Sequence, residues 1–191
     1  PSVIAATSTF PGAANYKAFE AELKGHPNKY SYGSSGTGGI QHMLMELYKS
    51  LTGIEMTHVP YRGAGPALND AVAGQIPMIL DNLPSALPFI KDNRLKAIVV
   101  AAPQRLAVLP DVPTFKEVGL PQVNRMASYG ILGPKGMDKA VVDKINAAVK
   151  KGIEDTCSLV VGNSPAEFAK ELKEEFETYK QVVAKQKLTL D

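Results

Sequence analysis

Tyr30-Ser31-Tyr32-Gly33-Ser34-Ser35-Gly36-Thr37-Gly38-Gly39 stands between two different periodicities. Tyr30 to Gly33 is a brief β-forming run. After the glycines, Met43, Leu44, Leu47, Tyr48 and Leu51 recur at three- and four-residue spacing, which is one face of an α-helix ending at Gly53. A strand that turns through a glycine-rich loop into a helix is the building unit of an α/β sheet.

The same unit recurs on either side of this stretch. Ser2 to Ala6 reads as a strand and Tyr16 to Lys24 as a helix closed by Gly25 and Pro27. Glu55 to Val59 alternates polar and apolar residues and runs into Pro60-Tyr61-Arg62-Gly63. A helix follows from Pro66 to Gly74, then a strand from Ile76 to Leu80. Pro84 opens a short helix through Ile90, and Leu95 to Ala101 is strongly β-forming. Leu109 to Thr114 is a Pro-rich connection leading to a short helix up to Val118, capped by Gly119. The last third predicts a strand over Met126 to Leu132, a helix through Val141, Ile145, Ala148 and Val149 to Gly152, and a strand over Leu159 to Val161. Ser164-Pro165-Ala166-Glu167 forms a capping box, and Phe168, Leu172, Phe176, Tyr179 and Val183 line one face of a long final helix. The alternation predicts a parallel or mixed sheet with helices on both faces, and ligands beyond the carboxyl ends of its strands.

Composition narrows the function. The 191 residues are 45% hydrophobic and 21% charged, ordinary globular usage. With 21 basic and 19 acidic residues the net charge is +2, without the basic excess that nucleic-acid binding needs. Apolar runs such as Ala97 to Ala102 are far too short to span a bilayer. Cys157, the single cysteine, has no disulfide partner in the chain and no matched His or Asn motif. His26, His42 and His58 lack metal-ligand spacing, and His42 reads as a packed or solvated side chain. Neither a catalytic constellation, nor a metal site, nor a cofactor motif emerges.

The loops carry what chemistry there is. Glycines let backbone approach a ligand closely, and the first amides of a helix, with their partial positive charge, favour an anion. Ser34, Ser35 and Thr37 add hydroxyls beside Gly36, Gly38 and Gly39. A Walker A loop would need Gly-Lys-Ser/Thr where Gly38-Gly39-Ile40 stands, and the dinucleotide fingerprint a glycine at Gln41. A nucleophile elbow through Gly33 and Ser35 meets Thr37 in place of its last glycine. A carboxylate or phosphate oxyanion is left, against the plain alternative of an unliganded β–α turn. In Tyr61-Arg62-Gly63, the guanidinium can clamp a carboxylate and the ring can cover an apolar stem. Asp81, ending a strand before Asn82, is open to two roles: a ligand contact, or a cap for the helix near Pro84. Asp70 reads as part of a solvated helix face.

Tyr30 to Gly38, with His58-Val59-Pro60-Tyr61-Arg62-Gly63-Ala64-Gly65-Pro66-Ala67, resembles the tripartite tricarboxylate transporter substrate-binding receptors, or Bug receptors. Ala73-Gly74-Gln75, Leu109 to Thr114, Glu117 to Pro121 and Ser164 to Phe168 follow in family order. The resemblance implies a periplasmic binding protein of type II-like α/β fold: two lobes of mostly parallel sheet flanked by helices, closing over a small mono- or dicarboxylic acid. It implies no chemistry, delivery to a membrane permease, and a monomer. It assigns Ser34 to Gly39 and Tyr61 to Gly63 to the ligand. Residues 6–125 would form the second, ligand-binding lobe, with 1–5 and 126–191 as hinge and returning part of a first lobe that is incomplete in this chain. Two departures from the family pattern stand out, that incomplete first lobe and a connection at Gly152 to Cys157 shorter than usual; in addition, Gly39 replaces a frequent Ser or Thr. The rival readings are a ligand-free or sensory docking module, and a transferase using the serine loop.

Overall fold

The computed structural model describes residues 1–126, 131, 133–154 and 165–186. They divide into two compact units, residues 1–127 with 178–191, and residues 128–177.

The first unit is built on a five-stranded sheet. In chain order its elements are β1 (Ser2–Thr7), α1 (Tyr16–Gly25), β2 (Ser31–Ser34), α2 (Ile40–Thr52), β3 (Thr57–Pro60), α3 (Ala64–Val72), β4 (Met78–Asn82), α4 (Leu83–Lys91) and β5 (Leu95–Ala101). The spatial order is β3-β2-β4-β1-β5. β2 pairs in parallel with β3 and β4, whereas β1 is antiparallel to both β4 and β5. The crossover β4–α4–β5 leaves a slot one strand wide, and β1 fills it. The sheet is therefore mixed, an arrangement that antiparallel insertion of one strand into an otherwise parallel set produces. All six residues of β1 are buried, so the lobe boundary expected at residue 6 falls inside this central strand.

Apolar residues of the strands point alternately to two cores. Ile4, Ala6, Tyr32, Met78 and Leu80 face α1 and α2, joining Phe19, Leu44, Met45 and Tyr48. Val3, Ala5, Ile79 and Val100 face the opposite way, toward Ala67, Leu68 and Ala71 of α3 and Leu83 and Ala86 of α4. Helix α2 departs from the expected single face: residues 41–48 are all buried, Met45 and Glu46 included, while Leu51 is 42% exposed. Part of the cover comes from the last turns of the final helix α6 (Pro165–Gln186), where Val182 joins the same core and Lys185 Nζ donates to the Ser50 carbonyl at 3.2 Å.

The short helix expected up to Val118 is instead a run of turns. Thr114 and Glu117 close it reciprocally, Thr114 N–H donating to Glu117 Oε2 at 2.8 Å and Glu117 N–H to Thr114 Oγ1 at 3.2 Å. That is a capping box with no helix behind it, since Gly119 at φ +84° stops propagation at once.

In the second unit, α5 (Lys139–Glu154) and the first turns of α6 are the regular elements among the described residues. The strand expected at Leu159 to Val161, most of that at Met126 to Leu132, and Ser164 of the capping box lie outside the described residues. Met126 and Ile131 are not in a strand.

Candidate functional site

Parallel pairing of β2 with β3 and with β4 brings three carboxyl ends to one edge of the sheet. The Ser34–Gly39 loop, the Tyr61–Gly63 turn and Asp81 meet there. Gly33 lies beside Ile79, and Asp81 follows two residues later near the carboxyl end of β4.

The two loops are laced through backbone. Tyr61 N–H donates to the Ser34 carbonyl at 3.0 Å and Gly63 N–H to the Ser35 carbonyl at 3.1 Å. Gly36 at φ +146° and Gly63 at φ +106° take conformations that side chains with a Cβ rarely adopt, and each is needed for this lacing.

Most donors of the first loop are spent within it. Ser34 is fully buried, and its hydroxyl lies 2.7 Å from His58 Nε2 while bonding both the carbonyl (3.2 Å) and the N–H (3.3 Å) of Gly36. Ser35 Oγ donates to Gln41 Oε1 at 3.0 Å. Gly38 N–H donates to His42 Nδ1 at 3.0 Å, and Gly39 N–H to the Gly36 carbonyl at 3.4 Å. Sequence alone counts the hydroxyls of Ser34 and Ser35 and these glycine amides as outward donors. The structure turns them inward because a tight loop must satisfy its own buried polar groups first. Two sets of donors stay unspent among the described residues. One is Thr37, which is exposed. The other is the set of first amides of α2, at Ile40, Gln41 and His42: they have no intrahelical acceptor, and the Gly39 N-cap has no side chain to supply one.

On the second loop, Tyr61 is half-buried and donates its hydroxyl to Asp70 at 2.8 Å; burial and that carboxylate push the phenol up to about 12. Asp70 is thus an anchor and not merely part of a solvated face. Arg62 is exposed and pairs with no acid among the described residues, leaving its guanidinium available.

Asp81 is 1% exposed, and neither carboxylate oxygen meets a full hydrogen-bond partner. Burial raises its pKa, with only a loose contact from the Asn82 amide acting the other way. The capping position belongs to Asn82, which begins α4 without a side-chain capping bond. A folded-state pKa above the unfolded one means that the neutral acid's stability is present at low pH and is lost as pH rises through the carboxylate range. Asp81→Asn is therefore expected to stabilise the fold by about 1–3 kcal/mol at neutral pH and hardly at all near pH 3. Thermal unfolding at both pH values checks this, and equal shifts would contradict a carboxyl whose pKa burial raises.

Beneath the first loop sits a polar stack that sequence reading missed. His42 stacks on His58 with centroids 3.9 Å apart and planes within 11°, and His58 stacks on Tyr32 at 4.9 Å. Tyr32 donates its buried hydroxyl to Glu46 at 2.6 Å, and Lys49 pairs with Glu46 at 2.7 Å. Burial, then the neighbouring His42, pushes His58 down to about 4; burial lowers His42 as well. One signal was available in the sequence: His42 is the third residue of α2, from which a side chain can reach back over the helix start.

Surface hollows of about 460 Å³ (around Lys49, Gly53 and Lys185) and 390 Å³ (around Arg105 and Glu117) include no residue of either loop. No group of three or more His, Cys, Asp or Glu suited to a metal ion occurs among the described residues, and no helix there is long and apolar enough to cross a membrane.

A family model described as "Tripartite tricarboxylate transporter family receptor" matches residues 1–168. The UPF0065 protein in the tcbD-tcbE intergenic region of Pseudomonas sp. (strain P51) is 34% identical over 161 residues, 80% of this chain and 48% of that protein. A solved structure described as a periplasmic transporter matches all of this chain and 66% of its own, with 45% identity and a TM-score of 0.86. MatC from Rhodopseudomonas palustris with bound malate matches 96% of this chain and 66% of its own at 30% identity and a TM-score of 0.79. The chain spans about half the length of the curated relatives it matches.

Proposed function

Because this chain belongs to the tripartite tricarboxylate transporter receptor family, we propose that it captures a small mono- or dicarboxylic acid in the periplasm for a membrane permease of that transporter type. The observation that carries the reading is the set of unspent donors at one sheet edge: Thr37 and the first amides of α2 on one loop, and the exposed guanidinium of Arg62 on the turn laced to it. Helix-start amides take one carboxylate, Arg62 and Tyr61 flank the ligand, and Gly36, Gly38, Gly39 and Gly63 give the two loops their shape. Ser34 and Ser35 act from inside the loop. Asp81, buried and short of partners, reads a distal polar group. The malate held by MatC, to which this chain is similar in structure, supports the carboxylate class. The lobe presenting this edge, drawn from sequence as residues 6–125, takes in the whole of β1. Residues 126–191 belong largely to the other lobe, and the receptor acts as a monomer.

Thermal shift and calorimetry against a panel of short mono- and dicarboxylates, malate and adipate included, test the reading. A true ligand at a hundredfold excess over its Kd stabilises by about 2.7 kcal/mol, a shift of about 5–10 °C in a chain of this size. No shift with any acid of the panel would overturn it.

The transferase reading has one observation in its favour, the 2.7 Å contact of Ser34 Oγ with His58 Nε2. Against it, that hydroxyl is fully buried and triply engaged, and a histidine pushed down to about 4 is a weak base. Hydrolysis of an activated ester that is lost in Ser34→Ala would revive it.

A further inference from the structure

We propose that His42 is a positioning residue for the anion loop: its unprotonated Nδ1 holds the Gly38 amide and His58 braces its ring, and this keeps the Thr37 hydroxyl and the uncapped amides of Ile40, Gln41 and His42 in place for a ligand anion. The inference rests on the receptor reading for its ligand, but its geometry stands on the protein alone.

A backbone N–H can only donate, so the 3.0 Å contact from Gly38 fixes Nδ1 of His42 as acceptor and puts the proton of the neutral ring on Nε2. The helix start has no side-chain cap of the ordinary kind, because Gly39 stands at the N-cap. An N3 side chain normally reaches back to the N-cap amide; here it reaches one residue further, to Gly38. The other closures donated by the loop's own amides, Gly39 to the Gly36 carbonyl and Gly36 to Ser34, are longer at 3.4 and 3.3 Å, so the His42 contact is its tightest amide closure. His58 ties the stack to the loop a second time through Ser34 at 2.7 Å.

The ring is 4% exposed, and the groups around the pair are identified. From β2 come Tyr32 and Ser34, from β3 His58, and from α2 itself Glu46 and Lys49. Glu46 is the acid among them, and it already accepts from Tyr32 and Lys49. A proton arriving at Nδ1 would turn an acceptor into a donor facing a donor, and would put a cation 3.9 Å from a second imidazole. The neutral state, favoured by burial of both rings, is thus the one that keeps the loop closed.

The test has two arms on the full chain. In the first, imidazole and amide nitrogen NMR is followed across pH without ligand. The expected result is a neutral His42 in the Nε2–H form, with the Gly38 amide shift following the His42 titration. In His42→Asn, whose Oδ1 occupies the place of Nδ1 and does not titrate, that pH dependence should vanish. A Gly38 amide indifferent to His42 would overturn the proposal. In the second arm, malate and adipate binding at neutral pH should weaken about tenfold in His42→Ala, one hydrogen bond's worth, and recover to within about threefold of wild type in His42→Asn. His42→Ala binding as tightly as wild type, or His42→Asn faring no better than His42→Ala, would also overturn it. Wild type binding neither acid would count against the receptor reading, while the first arm would still decide the role of His42.

Discussion

Gly36→Val is expected to weaken carboxylate binding by about a hundredfold or more and to cost the fold about 1–3 kcal/mol. The backbone at Gly36 has φ +146°, a region closed to β-branched residues, and both of its polar groups close the loop. Its N–H donates to Ser34 Oγ, and its carbonyl accepts from Ser34 Oγ and Gly39. A Cβ added to Gly36 would sit 3.5 Å from the Tyr61 carbonyl, ordinary contact, so crowding is not the cause. The loss comes from φ: relaxing it swings both polar groups, opens the lacing to the second loop, and displaces the helix-start amides. Gly65→Ala is the matched control. Gly65 lies within α3 outside both loops, with open space around its would-be Cβ beyond its chain neighbours and no positive φ, so alanine there should leave binding unchanged. Calorimetry on both variants checks the pair, and a Gly36→Val protein that binds like Gly65→Ala would remove this loop from the site.

Glu46→Ala is expected to destabilise the fold by about 3–4 kcal/mol, a drop of about 6–15 °C in Tm. Glu46 is 3% exposed and accepts from the Tyr32 hydroxyl and from Lys49, whose side chain is itself only 16% exposed. Truncation orphans a fully buried hydroxyl and strands an ammonium against the sheet, 5.8 Å from the Tyr32 ring. The cost is that of unmade partners, more than the net worth of the pair. Glu46→Gln keeps an acceptor for Tyr32 and should lose no more than about half as much. Denaturant melts of the two variants decide it: a loss below about 1 kcal/mol in Glu46→Ala would mean that water reaches the cluster and relieves it.

The alternation of strands and helices from Ser2 to Ala101 is legible in the sequence because hydrophobic period and glycine or proline punctuation are local properties. Gly53 ends α2 in the left-handed conformation, as a C-terminal glycine should. Where local signals mislead, a competing interaction is identifiable. Thr114 and Glu117 cap a turn that Gly119 does not let become a helix. Pro66 does not open α3, which begins at Ala64.

The candidate site divides in the same way. Local sequence places a glycine-rich loop and a Tyr-Arg-Gly turn between strands and helices, and hence unpaired helix-start amides there, because a helix start carries orphan donors wherever it forms. Which of those donors remain depends on contacts between residues far apart in the chain. The strand register sets His58 beside Tyr32 and within reach of Ser34, and α2 lays His42 on His58. These contacts, 24 residues apart in the case of Ser34 and His58, turn the serines inward and leave Thr37 and the first helical amides outward. Likewise Asp81 is an ordinary strand-end acid until the slot between β4 and β5 is filled by β1, which buries it. Long-range pairing assigns polar groups their partners, and no periodicity of the chain encodes it locally.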